Sequence, residues 1–265
     1  MPENEPQNEL VPNERQPNER QPNARPPNDR LTVQKTYKLY LGGAFPRSES
    51  GRSYVVASQD GRPLANAALA SRKDVRDAVV AARKAQPAWA GATAYLRGQV
   101  LYRVAEMLEG RRAQFVEALV VGDGSSHDAA SATVNESIDR LVWYAGWSDK
   151  FAQVAGSANP VAGPYFDFSI PEPTGVVGVL APQRSPLLGL VSVVAPVITT
   201  GNTAVVIASE DQPLPALDLA EVLATSDLPG GVVNILTGRT AELAPVLAAH
   251  RDVEALDLAG APQDL

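Results

Sequence analysis

Gly175-Val176-Val177-Gly178-Val179-Leu180, Thr203-Ala204-Val205-Val206-Ile207-Ala208, Gly231-Val232-Val233-Asn234-Ile235-Leu236 and Val253-Glu254-Ala255-Leu256-Asp257-Leu258 are short runs rich in apolar and β-branched side chains. Helical spacing separates them: one stretch follows Pro186, a second covers 215–225 and a third 241–250. Strands that are apolar at nearly every position need cover on both faces, and strand–helix alternation supplies it through parallel crossovers. The predicted class is therefore α/β, a Rossmann-like parallel sheet with helices on both faces. In such sheets ligands bind beyond the carboxyl ends of the strands. The segments after Leu180, Ala208, Leu236 and Leu258 are where chemistry is expected.

Upstream, the texture is helical with a small β element. Lys38-Leu39-Tyr40-Leu41 running into Gly42-Gly43, and Tyr54-Val55-Val56-Ala57 running into Asp60-Gly61, read as strands entering turns. Ser71 stands three residues before Asp74, the spacing of a capping box, and Val75, Ala78, Val79, Ala82 and Ala85 follow at helical spacing up to Pro87, where the pattern is predicted to stop. A second helix carries Leu96, Val100, Val104, Met107 and Leu108 on one face, a third covers 115–121, and a fourth covers 134–150. These stripes read as core faces.

Residues 1–30 hold a five-residue repeat, Pro12-Asn13-Glu14-Arg15-Gln16 followed by Pro17-Asn18-Glu19-Arg20-Gln21, with few apolar side chains. Such a segment buries too little surface to offset its ordering entropy, so it is predicted to be a disordered tail ahead of one domain over 31–265.

Composition narrows the chemistry. The 265 residues carry a formal charge of −7, which gives no general attraction to nucleic acid or to an anionic bilayer. Cysteine is absent, and with it disulfides, thiolate metal sites and thiol nucleophiles. Two histidines, His127 and His250, lie far apart, so no His-rich metal site is expected. Neither a secretory leader nor a long apolar run is legible, and a cytoplasmic location is expected by default.

Tyr144-Ala145-Gly146-Trp147-Ser148-Asp149-Lys150, Glu172-Pro173-Thr174-Gly175-Val176-Val177-Gly178, Thr200-Gly201-Asn202-Thr203 and Leu228-Pro229-Gly230-Gly231-Val232-Val233-Asn234 together resemble the NAD(P)-dependent aldehyde dehydrogenase family over roughly 38–260. The resemblance implies NAD or NADP as cofactor, with no metal, and marks Pro182, Glu210, Gly238 and Gly260 as cofactor-binding positions. It also shows departures. Arg184, in Pro182-Gln183-Arg184-Ser185-Pro186, stands where the family has the asparagine that helps hold an oxyanion, and a longer, permanently charged guanidinium departs from that geometry.

Ile207 stands where the family has a lysine on the adenosine ribose, while Glu210 keeps the family's ribose carboxylate; Glu210 reads equally as an exposed residue before the Pro213 helix entry. Losing one charge-assisted bond costs on the order of 1.5–3 kcal/mol, so binding is expected to be weakened. Gly238 fits a close backbone approach and equally a tight turn. In Leu258-Ala259-Gly260-Ala261-Pro262-Gln263-Asp264-Leu265 the first glycine of the family's pyrophosphate cradle is present, but the serine is gone and Leu265 replaces the second glycine. Asp257 and Asp264 add negative charge near a pyrophosphate.

No cysteine is available as nucleophile, and Ser185 and Thr203 have no identifiable base. The resemblance thus implies a truncated cofactor half without its catalytic domain. The expected role is a non-catalytic or regulatory subunit of a complete homologue, the alternatives being an oxidoreductase subunit with the thiol domain supplied in trans and a gene remnant or fragment. Expected partners are further copies or a complete aldehyde dehydrogenase, engaged through an open sheet edge or through the aromatic stretch 162–170, which resembles the family's oligomerisation arm. No nucleic acid and no membrane are expected.

Overall fold

A computed structural model describes residues 33–261. The 1–30 tail and Pro262, Gln263, Asp264 and Leu265 of the last motif lie outside the described residues. In chain order the elements are β1 (Thr36–Tyr37), β2 (Ser53–Ala57), β3 (Pro63–Ala68), α1 (Arg72–Gly91), α2 (Ala94–Glu109), α3 (Arg112–Asp123), α4 (His127–Trp147), α5 (Phe151–Ala155), β4 (Ser157–Ala158), β5 (Phe168–Ser169), β6 (Val176–Leu180), α6 (Leu188–Thr199), β7 (Thr203–Ile207), α7 (Leu214–Leu223), β8 (Val233–Leu236), α8 (Thr240–Ala248) and β9 (Ala255–Asp257).

The predicted sheet is present: β8-β7-β6-β9, parallel throughout. Every residue of β6, β7 and β8 is buried, and the period-2 alternation of strand side chains sorts them onto two layers. Val176, Leu180, Val205, Ile207 and Leu236 meet α1 and α8 through Val75, Ala78, Val79, Ala82, Leu243 and Leu247. Val177, Val179, Val206, Val233 and Ile235 meet α6 and α7 through Leu190, Val191, Val194, Leu219 and Val222, and the same cluster extends over α2, α3 and α4. Tyr40 closes the β8 edge with an antiparallel bridge to Ile235, whereas β9 is an edge strand with Leu256 exposed.

The Ser71 capping box forms. Its hydroxyl accepts from the Lys73 and Asp74 amides, and Asp74 Oδ2 accepts from the Ser71 amide at 2.7 Å. Asp74 is buried, yet satisfied, because Ser48 Oγ (2.8 Å) and the Glu49 amide (3.1 Å) also donate to it.

Three expectations need correction. α1 does not stop at Pro87 but continues to Gly91. A missing N–H there costs one backbone bond, and the last turn is held instead by Trp89, which is buried and whose Nε1 donates to Ile198 O at 2.9 Å. The strand expected over 38–41 reduces to single bridges at Tyr40 and Leu41, the pairing strand being β1 just before it. The fourth helix begins earlier than expected, at His127, because Ser126 caps it by accepting from the Ala129 amide.

Candidate functional site

Between β6 and β9 the sheet reverses its order of addition: β7 and β8 are laid down to one side of β6, and β9 returns to the other. Ligands of doubly wound sheets bind beyond the carboxyl ends of the strands at such a point; here the segments leaving β6 and β9 stay in contact, the Gly260 amide donating to Leu180 O. Pro182 follows β6 and Gly260 follows β9, so both flank this switch point. Glu210 lies beyond β7 and Gly238 beyond β8, so the predicted residues sit on one rim in the strand order of the sheet.

Backbone and side chains of the β6 and β7 loops are tied together by Gln183. Its Nε2 donates to Ala181 O (3.0 Å), its Oε1 accepts from the Glu210 amide (2.8 Å), and its carbonyl accepts from Ser209 Oγ (3.0 Å). Gly260 donates its amide to Leu180 O at 2.9 Å, and a Cβ added to it would lie 2.6 Å from that carbonyl and overlap the carbonyl of Ala181. A glycine is required for the two strand ends to approach this closely. Gly238 has φ +147°, and a Cβ there would come within 3.3 Å of the Ala70 amide.

The Glu210 carboxylate is already engaged. Oε1 accepts from Arg239 Nη1 at 3.0 Å, and Oε2 accepts from the amide of Thr240, the first residue of α8, at 3.1 Å. The helix N-terminus favours that negative charge. Tyr54 Oη donates to Glu210 O at 3.2 Å, and burial pushes the phenol's pKa well above the usual tyrosine value, so it stays a donor. Glu210, Gly238 and Arg239 line a cavity of about 440 Å³ together with Tyr54, Val55 and Ala57 of β2 and with Asp123 and Asp211. Pro182 and Gly260 do not line that cavity.

The departures from the family pattern have clear structural positions. Ile207 is fully buried and paired in the sheet, so nothing at that position reaches a ribose. Arg184 is exposed. Ser185 Oγ accepts from the Gly189 amide at 2.9 Å, and Thr203, fully buried, donates to Ala82 O at 3.2 Å, which leaves both hydroxyls in structural roles. Arg239 was not legible as a site residue: it reaches Glu210 across 29 positions of sequence, and only its place next to Gly238 pointed toward it. Thr240 Oγ1 is buried without a hydrogen-bond partner on the same helix terminus.

Glu210, Gly238 and the N-terminus of α8 are the groups on this rim that could hold the ribose end of a nicotinamide dinucleotide. At the pyrophosphate end the fit is poorer, because the space beside Gly260 is filled by the Ala181 backbone.

Comparison with known proteins places this geometry. The pattern described as "Aldehyde dehydrogenase family" matches residues 45–263. Mouse (Mus musculus) cytosolic 10-formyltetrahydrofolate dehydrogenase is 32% identical over 242 residues, covering 88% of this chain and 26% of its own length. Mouse retinal dehydrogenase 2 is 32% identical over 234 residues, covering 86% of this chain and 45% of its own length. The solved NAD+ complex of aldehyde dehydrogenase from Bacillus cereus superposes with a TM-score of 0.80 at 26% identity over 84% of this chain and 45% of that one. The chain thus spans about half the length, or less, of the relatives it matches.

That superposition corrects the expectation of a truncated cofactor half. With 84% of the chain following the solved fold at a TM-score of 0.80, the described residues adopt an aldehyde dehydrogenase-type domain fold. The expected roles as a regulatory subunit of a full-length homologue, or as one part of an enzyme completed in trans, rested on that truncation and fall with it.

Proposed function

The chain belongs to the aldehyde dehydrogenase family, and from that premise we propose that it holds NAD or NADP along the carboxyl-end rim without supplying thiolate chemistry. The observation that carries this reading is the switch point between β6 and β9, flanked by Pro182 and Gly260, with Glu210 and Gly238 on the adjoining strands. When bound, the dinucleotide supplies a hydride acceptor. Glu210 would hold ribose hydroxyls, Gly238 would admit the backbone close to them, and Pro182 and Gly260 would flank the switch point. The 265 residues contain no cysteine to attack an aldehyde, so this chain is a binder rather than a catalyst.

Binding must compete with Arg239 for Glu210. The pair is exposed and worth about 0–1 kcal/mol, so Arg239→Ala is expected to tighten NAD binding up to about fivefold by titration calorimetry. Glu210→Gln is expected to weaken it roughly tenfold. Equal affinity in Glu210→Gln and the unaltered chain would remove Glu210 from the site. NADH formation by the purified chain with an aldehyde would overturn the non-catalytic part of the proposal.

The proposed partner is a second copy or another aldehyde dehydrogenase-like chain. Supporting this, the β4–β5 arm, paired antiparallel over two residues, presents Tyr165, Phe166, Phe168 and Ile170 exposed, with Phe166 and Phe168 ring centroids 5.2 Å apart. Among the described residues no helix is long and apolar enough to cross a membrane. Light scattering is expected to give a mass above the monomer's, falling on Phe166→Ser/Phe168→Ser; a monomer at every concentration would contradict association.

A further inference from the structure

Asp218 is a carboxylate in the wrong surroundings. It lies on α7, only 2% exposed, in a helix whose neighbouring residues Leu217, Leu219 and Ala220 are packed into apolar clusters. Its Oδ1 is buried without a hydrogen-bond partner. An ionised carboxylate with an orphan oxygen is costly in such a place, and a protonated one much less so.

The groups around it come from three elements. Tyr37 of β1 and Gln114 of α3 reach toward its carboxyl, and Lys35, just before β1, and Glu221, one turn along α7, act on it by charge. Lys35 Nζ is not free to neutralise it: the ammonium donates to Glu221 Oε1 at 3.0 Å and stands 3.9 Å above the Tyr37 ring. Arg111, at the start of α3, is likewise turned to Glu221, with Nη1 3.6 Å from Oε2. Both nearby cations are thus directed to Glu221. A cavity of about 160 Å³ bounded by Lys35, Tyr37, Lys38, Phe45, Leu217 and Glu221 leaves β1 room to shift.

We propose that the junction of β1, α3 and α7 is a proton-operated clasp: with a proton on Asp218 the three elements dock tightly, and loss of that proton loosens β1 and α3 while the parallel sheet stays intact. β1 is suited to respond, since it pairs through only two residues, Thr36 with Asn66 and Tyr37 with Ala67. The sheet keeps its own strand ladders and, on its other face, the α1 and α8 cluster, which includes no residue of β1, α3 or α7.

The direction of the effect follows from linkage. Burial, reinforced by the Glu221 charge and opposed by Lys35, raises the Asp218 pKa from 3.8 to about 6. The folded protein therefore binds this proton more tightly than the unfolded chain does. The stabilisation is complete below the ordinary carboxyl range and is lost as pH rises through about 6.

Hydrogen–deuterium exchange near pH 5.5 and near pH 8, corrected for intrinsic rates, reads the clasp directly. Protection of 36–37 and of 112–123 is expected to fall about fourfold between the two, with β6, β7 and β8 unchanged, and Asp218→Asn should abolish the difference. An unaltered chain that shows no difference, a difference that persists in Asp218→Asn, or one spread evenly over the parallel sheet would overturn the clasp. Should Asp218→Asn fail to fold, Glu221→Gln decides: removal of the neighbouring negative charge moves the midpoint of the transition to lower pH, and an unmoved midpoint overturns the proposal.

Discussion

Gly260→Val should destabilise the domain by about 3 kcal/mol or more, lowering its melting temperature by roughly 10 °C. Gly260 is where β9's exit meets the end of β6. A side chain there overlaps the Ala181 carbonyl and lies 2.6 Å from that of Leu180, and both partners are backbone, which cannot turn aside. The substitution must separate the strand ends and break the Gly260 amide bond to Leu180 O. Gly91→Val is the control, because a Cβ at Gly91 meets nothing within 4 Å. Scanning calorimetry that finds the two variants equally stable would contradict the close approach. A glycine whose only use was to admit a phosphate would give the opposite pattern, with stability kept and dinucleotide affinity lost.

Asn234→Leu is expected to cost about 4 kcal/mol, read as a lowered urea midpoint with an unchanged slope. Asn234 is fully buried in β8, in a position whose neighbours are all apolar. Its Oδ1 accepts from the Gly42 amide at 2.8 Å, and its Nδ2 donates to Gly231 O at 2.8 Å and to Ala204 O at 3.3 Å. Leucine is similar in size but leaves those groups buried and unpaired, the costly case for a hydrogen bond. A midpoint within error of the unaltered chain's would show that the Gly42 and Gly231 loops find other partners. The two glycines just before it explain the rest of that motif. A Cβ at Gly230 would sit 2.5 Å from Gly42 O, and one at Gly231 2.7 Å from Ala81 O, so the loop is shaped by neighbours far away in sequence.

These cases show what the sequence could carry and what it could not. The parallel sheet was legible because strands buried on both faces, such as Thr203–Ile207, are written as unbroken apolar runs. The order of rim residues followed from it. β3 was missed because Pro63–Ala68, PLANAA, is poor in β-branched side chains and is a strand only by virtue of the partners on either side of it. α1 runs past Pro87 because a tryptophan's bond to a distant carbonyl outweighs a local breaker. Arg239 and Asp218 are invisible to spacing altogether: the role of each is set by a neighbour on another element. The truncated reading failed for a related reason, since absent downstream motifs say nothing about whether the residues present adopt a domain fold.

The account stands most directly on a calorimetric titration of the unaltered chain with NAD+ and with NADP+. It predicts saturable binding of one dinucleotide per chain, strengthened in Arg239→Ala and weakened in Glu210→Gln. Heats indistinguishable from dilution for both dinucleotides, in the unaltered chain and in Arg239→Ala alike, would contradict it.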